Sequence, residues 1–158
     1  MMLKILLMLE MGYLKLTTAF NIREYEVKDQ EGVIKLWNMV FPDMPSWNNP
    51  NISISKKLEV QRELFFVAHD NHNIIGTVMA GYDGHRGWIY FLAVHPDYRR
   101  IGVGKALTKR AEEALTQMGC VKVNLQIRSD NKEVVNFYMK TGYSIEDRIS
   151  MGKRLEEI

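Results

Sequence analysis

The 158-residue sequence contains one cysteine, Cys120, and so it cannot form an internal disulfide. A lone thiol favours a protein of the reducing cytoplasm, and we interpret Cys120 as a small core residue. The four histidines and this cysteine lack the spacing of metal ligands, so we expect no metal site. No stretch approaches the roughly 20 apolar residues of a membrane-spanning helix, so we expect no membrane partner.

The chain also lacks a strong charge of either sign. Its 21 Lys and Arg residues and 19 Asp and Glu residues leave a net charge of +2, which does not indicate that the protein binds nucleic acid. Residues 1–19 begin with an apolar run that is too short and too interrupted for a signal peptide. We predict that residues 1–19 are an N-terminal extension outside the core, and that residues 20–158 form one domain.

The order of the remaining patterns predicts a single α/β domain. Short strands are indicated from Phe20 and in "LFFVAHD", "IIGTVMAGY", "VKVNLQI" and the last residues from Tyr143. The run "WIYFLAV" is typical of a central strand buried on both faces. Helical spacing predicts four helices, over about 30–40, 53–59, 103–118 and 131–140. Asp29 and the pair Asp130 and Glu133 are the predicted caps.

The stretch "RRIGVGKAL" forms a glycine-containing turn between a strand and a helix. It is not a Walker A loop, because Arg99 replaces its first glycine and Ala106 replaces its hydroxyl residue. It is not a dinucleotide fingerprint, because Leu107 stands where the third glycine is needed. Two interpretations remain: a pyrophosphate cradle at a helix N-terminus, or a plain turn with solvated arginines.

Two motifs at the right separation carry a family resemblance. "YFLAVHPDYRRIGVGKAL" followed by "NKEVVNFYMKTGY" resembles the GNAT superfamily of acetyl-CoA-dependent N-acetyltransferases, and "GYDGHRG" with "GCVKVNLQIR" resembles its YpeA-type branch. The likeness spans about residues 20–155. The matching residues are Arg99, Gly102, Gly104, Asn131, Tyr138, Gly142 and Tyr143.

The resemblance implies an α/β (α+β) GNAT fold. Its sheet would be mixed and mostly antiparallel, with six or seven strands, splayed central parallel strands and about four helices. It also implies acetyl-CoA as cosubstrate. By similarity, the backbone of Leu92 and Val94 would bind the pantetheine arm, and Asn131 would bind the arm or the adenylate side. The pyrophosphate would lie on Arg99, Arg100, Ile101, Gly102, Val103, Gly104 and Lys105.

The resemblance also implies catalytic roles. Tyr138 matches the family's general acid, which protonates the departing thiolate. Relatives that acetylate a ribosomal protein carry a glutamate base at the position of Gln126, and a glutamine cannot accept a proton. Asp83 and His85 are the remaining candidates for the base or for a water relay. The predicted acceptor pocket consists of Trp37, Trp47, Asn48, Tyr82 and Arg86, together with Asp83 and His85.

The prediction is therefore an N-acetyltransferase that moves an acetyl group to a primary amine of a small molecule or a protein. The amine would attack directly, through a tetrahedral intermediate. The alternative is a non-catalytic acyl-CoA-binding regulatory module. Gln126, which cannot act as a base, favours that alternative. Tyr138, which matches the family's general acid, argues against it. We expect a monomer or homodimer.

Overall fold

The computed structural model describes residues 19–71 and 73–155. Most of the predicted extension lies outside this range, as does His72. The described residues form five strands and four α-helices. In chain order these are β1 (Asn21–Glu24), α1 (Gln30–Val40), α2 (Pro50–Glu59), β2 (Phe65–His69), β3 (Ile74–Tyr82), β4 (Gly87–Val94), α3 (Val103–Gln117), β5 (Val123–Asn124) and α4 (Lys132–Lys140). None of the helices in these ranges is long and apolar enough to cross a membrane.

The five strands make one mixed sheet in the order β1-β2-β3-β4-β5. Neighbours from β1 to β4 are antiparallel, and β4 pairs with β5 in parallel. The prediction of six or seven strands was wrong for the described residues, because residues 144–155 form no strand there. Side chains connect this segment to β5 and the residues after it: the Asn124 amide donates to Glu146 at 2.9 Å, and Gln126 donates to Ser150. The backbone ladder therefore ends at β5.

Two apolar clusters pack on opposite faces of the sheet. Apolar residues of α3, Leu107 and Leu115 among them, cover one face, where Phe66, Val78 and Ile89 are buried. The helices α1 and α2 cover the other face, with Phe65 and Met79 beneath them. These clusters account for α1, α2 and α3: each turns an apolar stripe toward the sheet and a polar stripe toward water. Helix α4 buries only Tyr138.

Both predicted helix caps differ in detail from the structure. Asp29 stands at the start of α1, but its carboxylate accepts from Arg23 at 2.6 and 2.8 Å and from the Glu26 N–H at 2.9 Å. At α4 the capping residue is Asn131, whose side-chain oxygen accepts from the Val134 N–H at 3.2 Å. Asp130 instead pairs with Arg128 at 2.9 Å. In each case a nearby arginine competes for the carboxylate.

The last residues of β3 extend beyond the end of β2. There the Gln61 side chain replaces a strand: its amide donates to the Tyr82 carbonyl at 2.8 Å, and its oxygen accepts from the Tyr82 N–H at 2.8 Å. The Lys57 ammonium donates to the Ala80 carbonyl beside it. Partial burial lowers the pKa of Lys57 to about 8. These side chains hold the β3–β4 hairpin that carries the candidate site.

Candidate active site

The centre of the site is a gap between β4 and β5. The two parallel strands pair only at their N-terminal ends, where Gly87 lies opposite Val123 and Trp88 lies opposite Asn124. At the other end of β4, the His95 N–H donates to the Ile75 carbonyl of β3 at 2.8 Å. Because alternate residues of a strand direct their backbone groups to the same side, Leu92 and Val94 direct theirs away from β3, into the gap.

The Arg99–Lys105 turn closes the wide end of this gap. Arg100 and Gly102 have left-handed backbone conformations, with φ of 63° and 95°. The first backbone hydrogen bond of α3 runs from Ala106 to Gly102 at 3.0 Å, so the N–H groups of residues 103–105 lie ahead of it at the helix start. Arg99, Arg100 and Lys105 are all exposed around the turn. Open N–H groups, a helix dipole and three cations suit a phosphate-bearing ligand.

The two glycines of the turn serve different purposes. A methyl group on Gly102 would meet nothing within 4 Å, so this position requires glycine for its left-handed backbone. A methyl group on Gly104 would lie 3.4 Å from the Phe137 ring and 3.5 Å from a Val94 methyl. These are ordinary van der Waals distances, so the space at Gly104 admits a methyl group but little more. The Val103 side chain is buried in the core, which leaves only its backbone to face a ligand.

Tyr138 projects from α4 and is only 5% exposed. Burial raises the pKa of its phenol strongly, and the negative charge of Glu112 raises it further. The Tyr143 hydroxyl donates to Glu112 at 2.8 Å, and the two tyrosine rings lie 5.1 Å apart. Tyr138 therefore stays protonated at neutral pH. It lines a wide cleft of about 1360 Å³ that includes Trp88, Asn124 and Gln126.

The β3–β4 turn contains the two residues that the sequence offered as a base. The Asp83 carboxylate accepts from the N–H groups of His85 and Arg86 at 2.8 and 2.7 Å, and from the Trp88 indole at 3.3 Å. The backbone hydrogen bonds hold the pKa of Asp83 below its usual value. This carboxylate is poorly suited to accept a proton at neutral pH. His85 is exposed at the tip of the same turn.

Asn131 caps α4 through its side-chain oxygen, which leaves its amide N–H groups as possible donors to a ligand. Arg99 lies beside the end of β4, where its Nε donates weakly to the Val94 carbonyl at 3.4 Å. The hydroxyl of Tyr98, in the loop before the turn, donates to the Asp70 carboxylate. That bond ties the β2–β3 hairpin to the turn and supports its position.

Comparison with known proteins identifies the family. The family described as "Acetyltransferase (GNAT) family" matches residues 25–143. The chain belongs to this family. A Yersinia pestis acetyltransferase is 47% identical over 135 residues, which cover 85% of this chain and 95% of the relative. The chain is therefore an acyltransferase.

Two solved structures have the same fold. Ard1 from Thermoplasma volcanium superposes with a TM-score of 0.71 at 26% identity, over 81% of this chain and 84% of that one. PaiA N-acetyltransferase from Thermoplasma acidophilum, solved in complex with coenzyme A, gives a TM-score of 0.65 at 21% identity, over 83% and 93% of the two chains.

The acceptor pocket predicted for this acetyltransferase is only partly assembled. Trp37 is fully buried, so its assignment to the pocket was wrong: its helical spacing points the indole into the sheet. Tyr82 packs on the cluster beneath α3, away from α1 and α2. Trp47 is 47% exposed, with the Arg154 guanidinium 4.5 Å above its ring, and half-buried Asn48 follows it. Arg86 stays in the β3–β4 turn, bonded to the His85 carbonyl at 3.0 Å.

The acetyltransferase also has an exposed aromatic residue that the sequence reasoning missed. Tyr90 of β4 is 50% exposed, although "WIYFLAV" predicted a strand buried on both faces. Tyr90 lies opposite Met79, which packs beneath α1 and α2, so it lies on the face of the sheet that these helices cover, with Trp88 two residues before it. The signal available was the phenol itself, which is polar at its tip.

Proposed function

We propose that this protein is an N-acetyltransferase that moves the acetyl group of acetyl-CoA to a primary amine by direct attack through a tetrahedral intermediate. The observation that carries the proposal is the gap between β4 and β5, closed at its wide end by the Arg99–Lys105 turn. A long thiol ester with a pyrophosphate at its far end matches a cleft of this shape and charge. The coenzyme A complex of the similarly folded PaiA protein supports the same ligand.

The proposed ligand contacts follow from the placement of each group. The N–H groups at the start of α3 would hold the pyrophosphate, with Arg99, Arg100 and Lys105 neutralising its charge. The backbone of Leu92 and Val94 would bind the amide groups of the pantetheine arm, as an added strand would. The amide of Asn131 would contact the arm where it leaves the turn.

The proposed chemistry forms one bond and breaks one. The neutral amine attacks the thioester carbon, and the oxygen gains negative charge, which the Leu92 N–H would stabilise. Collapse of the intermediate breaks the C–S bond, and Tyr138 donates its proton to the leaving sulfur. Gln126 cannot accept a proton and Asp83 has a low pKa, so we assign the amine's lost proton to water in the wide cleft.

Acetyl-CoA should raise the melting temperature of the protein by about 5–10 °C when present at roughly 100 times its Kd. A ligand bound only by the folded state adds about 2.7 kcal/mol at that ratio, and each kcal/mol shifts Tm by about 2–4 °C in a chain of this size. Differential scanning fluorimetry measures the shift. Adenosine or acetate alone should raise the melting temperature little, since each would occupy only one end of the site. Equal stabilisation by NAD or ATP would contradict the assignment of the turn.

A second function is favoured by one specific observation. Gln126 stands where the relatives that acetylate a ribosomal protein carry a glutamate base, and its side-chain amide donates to the Ser150 hydroxyl. A chain without a base could bind acyl-CoA and act as a regulatory module. We favour the enzyme because Tyr138, which a binding module does not need, lines the same cleft as Gln126.

A further inference from the structure

The strand β4 contains a bulge beside the gap. Thr77 of β3 lies opposite Ala93 of β4, while Met79 lies opposite Tyr90. One residue of β3 therefore faces two residues of β4, Phe91 and Leu92. Within the bulge, Phe91 has a left-handed backbone conformation, with a φ of 47°. A left-handed conformation is uncommon for a bulky side chain, so it persists only where surrounding contacts fix it.

A buried chain of two hydrogen bonds fixes this conformation. The Trp37 indole N–H donates to the Thr77 hydroxyl at 2.8 Å, and that hydroxyl donates to the Phe91 carbonyl at 2.9 Å. An indole nitrogen can only donate, so the direction of the chain is determined: Thr77 accepts from Trp37 and gives its own proton to Phe91. Both Trp37 and Thr77 are fully buried, so water does not compete for the bond between them, and Phe91 at the end of the chain is partly buried.

Trp37 also contacts the Phe91 side chain. The two rings are stacked with their centroids 4.3 Å apart and their planes 15° from parallel. Trp37 thus holds the ring of Phe91 directly and its carbonyl through Thr77. The hydrophobic spacing of α1 explains why Trp37 is buried, but it does not explain why the indole nitrogen is placed on a threonine of the central sheet.

The hydrogen-bonded carbonyl determines where the next N–H points. The described residues contain no cis peptide bond, and in a planar trans peptide the C=O and N–H groups point in opposite directions. Because the Phe91 carbonyl is held by Thr77 of β3, the Leu92 N–H is turned away from β3. On that side β4 borders the gap left by β5.

We propose that Trp37 and Thr77 are positioning residues that lock the Phe91–Leu92 peptide, so that the Leu92 N–H donates to the thioester carbonyl of bound acetyl-CoA. The inference rests on the proposed function, since it assigns how that site is held. It gives Trp37 a role in place of the pocket position expected from the sequence. Neither residue touches the substrate; each acts through the backbone of β4.

The test compares three variants with the wild-type protein. Thr77→Val keeps the shape of the side chain but removes the hydroxyl, and it should lower kcat at saturating acetyl-CoA by roughly 10-fold to 10²-fold, toward the effect of losing an oxyanion donor. Affinity for coenzyme A, which has no acetyl group, should change less than about 3-fold, because the turn is untouched. Thr77→Ser restores the hydroxyl and should recover most of kcat.

The third variant separates positioning from stability. Thr77→Val alone leaves a buried indole N–H without a partner and should lower Tm. The double variant Trp37→Phe with Thr77→Val removes both polar groups and keeps an aromatic ring against Phe91, so part of the lost Tm should return. Its kcat should stay low, because the Phe91 carbonyl is still not held.

A spectroscopic measurement detects the hydrogen bond from the Leu92 N–H to the thioester carbonyl without requiring turnover. Acetyl-CoA labelled with ¹³C at the carbonyl should show a lower C=O stretching frequency when bound to wild type and Thr77→Ser than to Thr77→Val or the double variant. Equal frequencies in all four proteins would overturn the proposal, as would a double variant that regains kcat together with Tm. A wild-type protein that shows no bound thioester band at all would instead contradict the proposed function, on which this inference depends.

Discussion

Replacing Tyr138 with Phe should lower kcat by roughly 10²-fold, the lower end of the range for general acid catalysis, while KM for acetyl-CoA changes little. The substitution removes one hydroxyl and leaves the ring packed beside Tyr143. A thiol with an ordinary pKa near 8.5 is a tolerable leaving group unaided, so turnover should fall without being abolished. Steady-state kinetics with a reactive amine measure the change.

Tyr143→Phe is the matched control, since it removes a neighbouring phenol that donates to Glu112. It should leave kcat within a few-fold of wild type, because that hydroxyl already has a protein acceptor. The pKa of Tyr138 is raised above its ordinary value near 10, so the hydroxyl keeps its proton at any pH below about 10. Deprotonation of the Tyr138 hydroxyl should therefore not reduce the kcat of the wild-type protein between about pH 7 and 9. Unchanged turnover in Tyr138→Phe would reduce this residue to a packing role.

Replacing Gly102 with Val should weaken acetyl-CoA binding by about 10²-fold. A β-branched residue strongly disfavours the φ of 95° found there, so the turn should shift away from its present form. Losing two hydrogen bonds to a charged pyrophosphate costs about 3 kcal/mol or more, which corresponds to that loss of affinity. Isothermal titration calorimetry measures it.

Gly119→Val provides the comparison at the other end of α3. Gly119 has a φ of 85° and open space around its missing side chain, so its substitution imposes a similar strain far from the turn. It should lower Tm but preserve affinity. If Gly102→Val binds acetyl-CoA as tightly as Gly119→Val does, the pyrophosphate does not lie at this turn.

Local signals in the sequence predicted the parts of the fold that local physics determines. The four helices, the β2–β3 hairpin and the glycine turn follow from periodicity and turn chemistry, which act over a few residues. The family followed from two motifs, and the match over residues 25–143 confirms it. The turn at Arg99 to Lys105 was recognisable because its glycines break a clear strand-to-helix boundary.

The errors concern features that depend on distant residues. The alternation in "VKVNLQI" predicted a full strand, but only Val123 and Asn124 pair, because β4 diverges and residues 144–155 contribute side chains alone. Trp37 was assigned to the pocket as an aromatic residue of the first helix. The spacing of α1 indicates that Trp37 is buried, but the placement of its indole nitrogen depends on Thr77, forty residues away, and no local pattern in β4 indicates the bulge beside it.

The most direct test of the account is release of free coenzyme A thiol from acetyl-CoA across a panel of primary amines, with a no-amine control and mass spectrometry of the amines. The panel should include diamines, amino sugars and peptides with free N-termini or lysines. The account predicts amine-dependent thiol release, saturable in acetyl-CoA, with an acetylated product and a roughly 10²-fold slower rate in Tyr138→Phe. Saturable binding of acetyl-CoA with no acetylation of any amine would contradict the transferase and support the regulatory module.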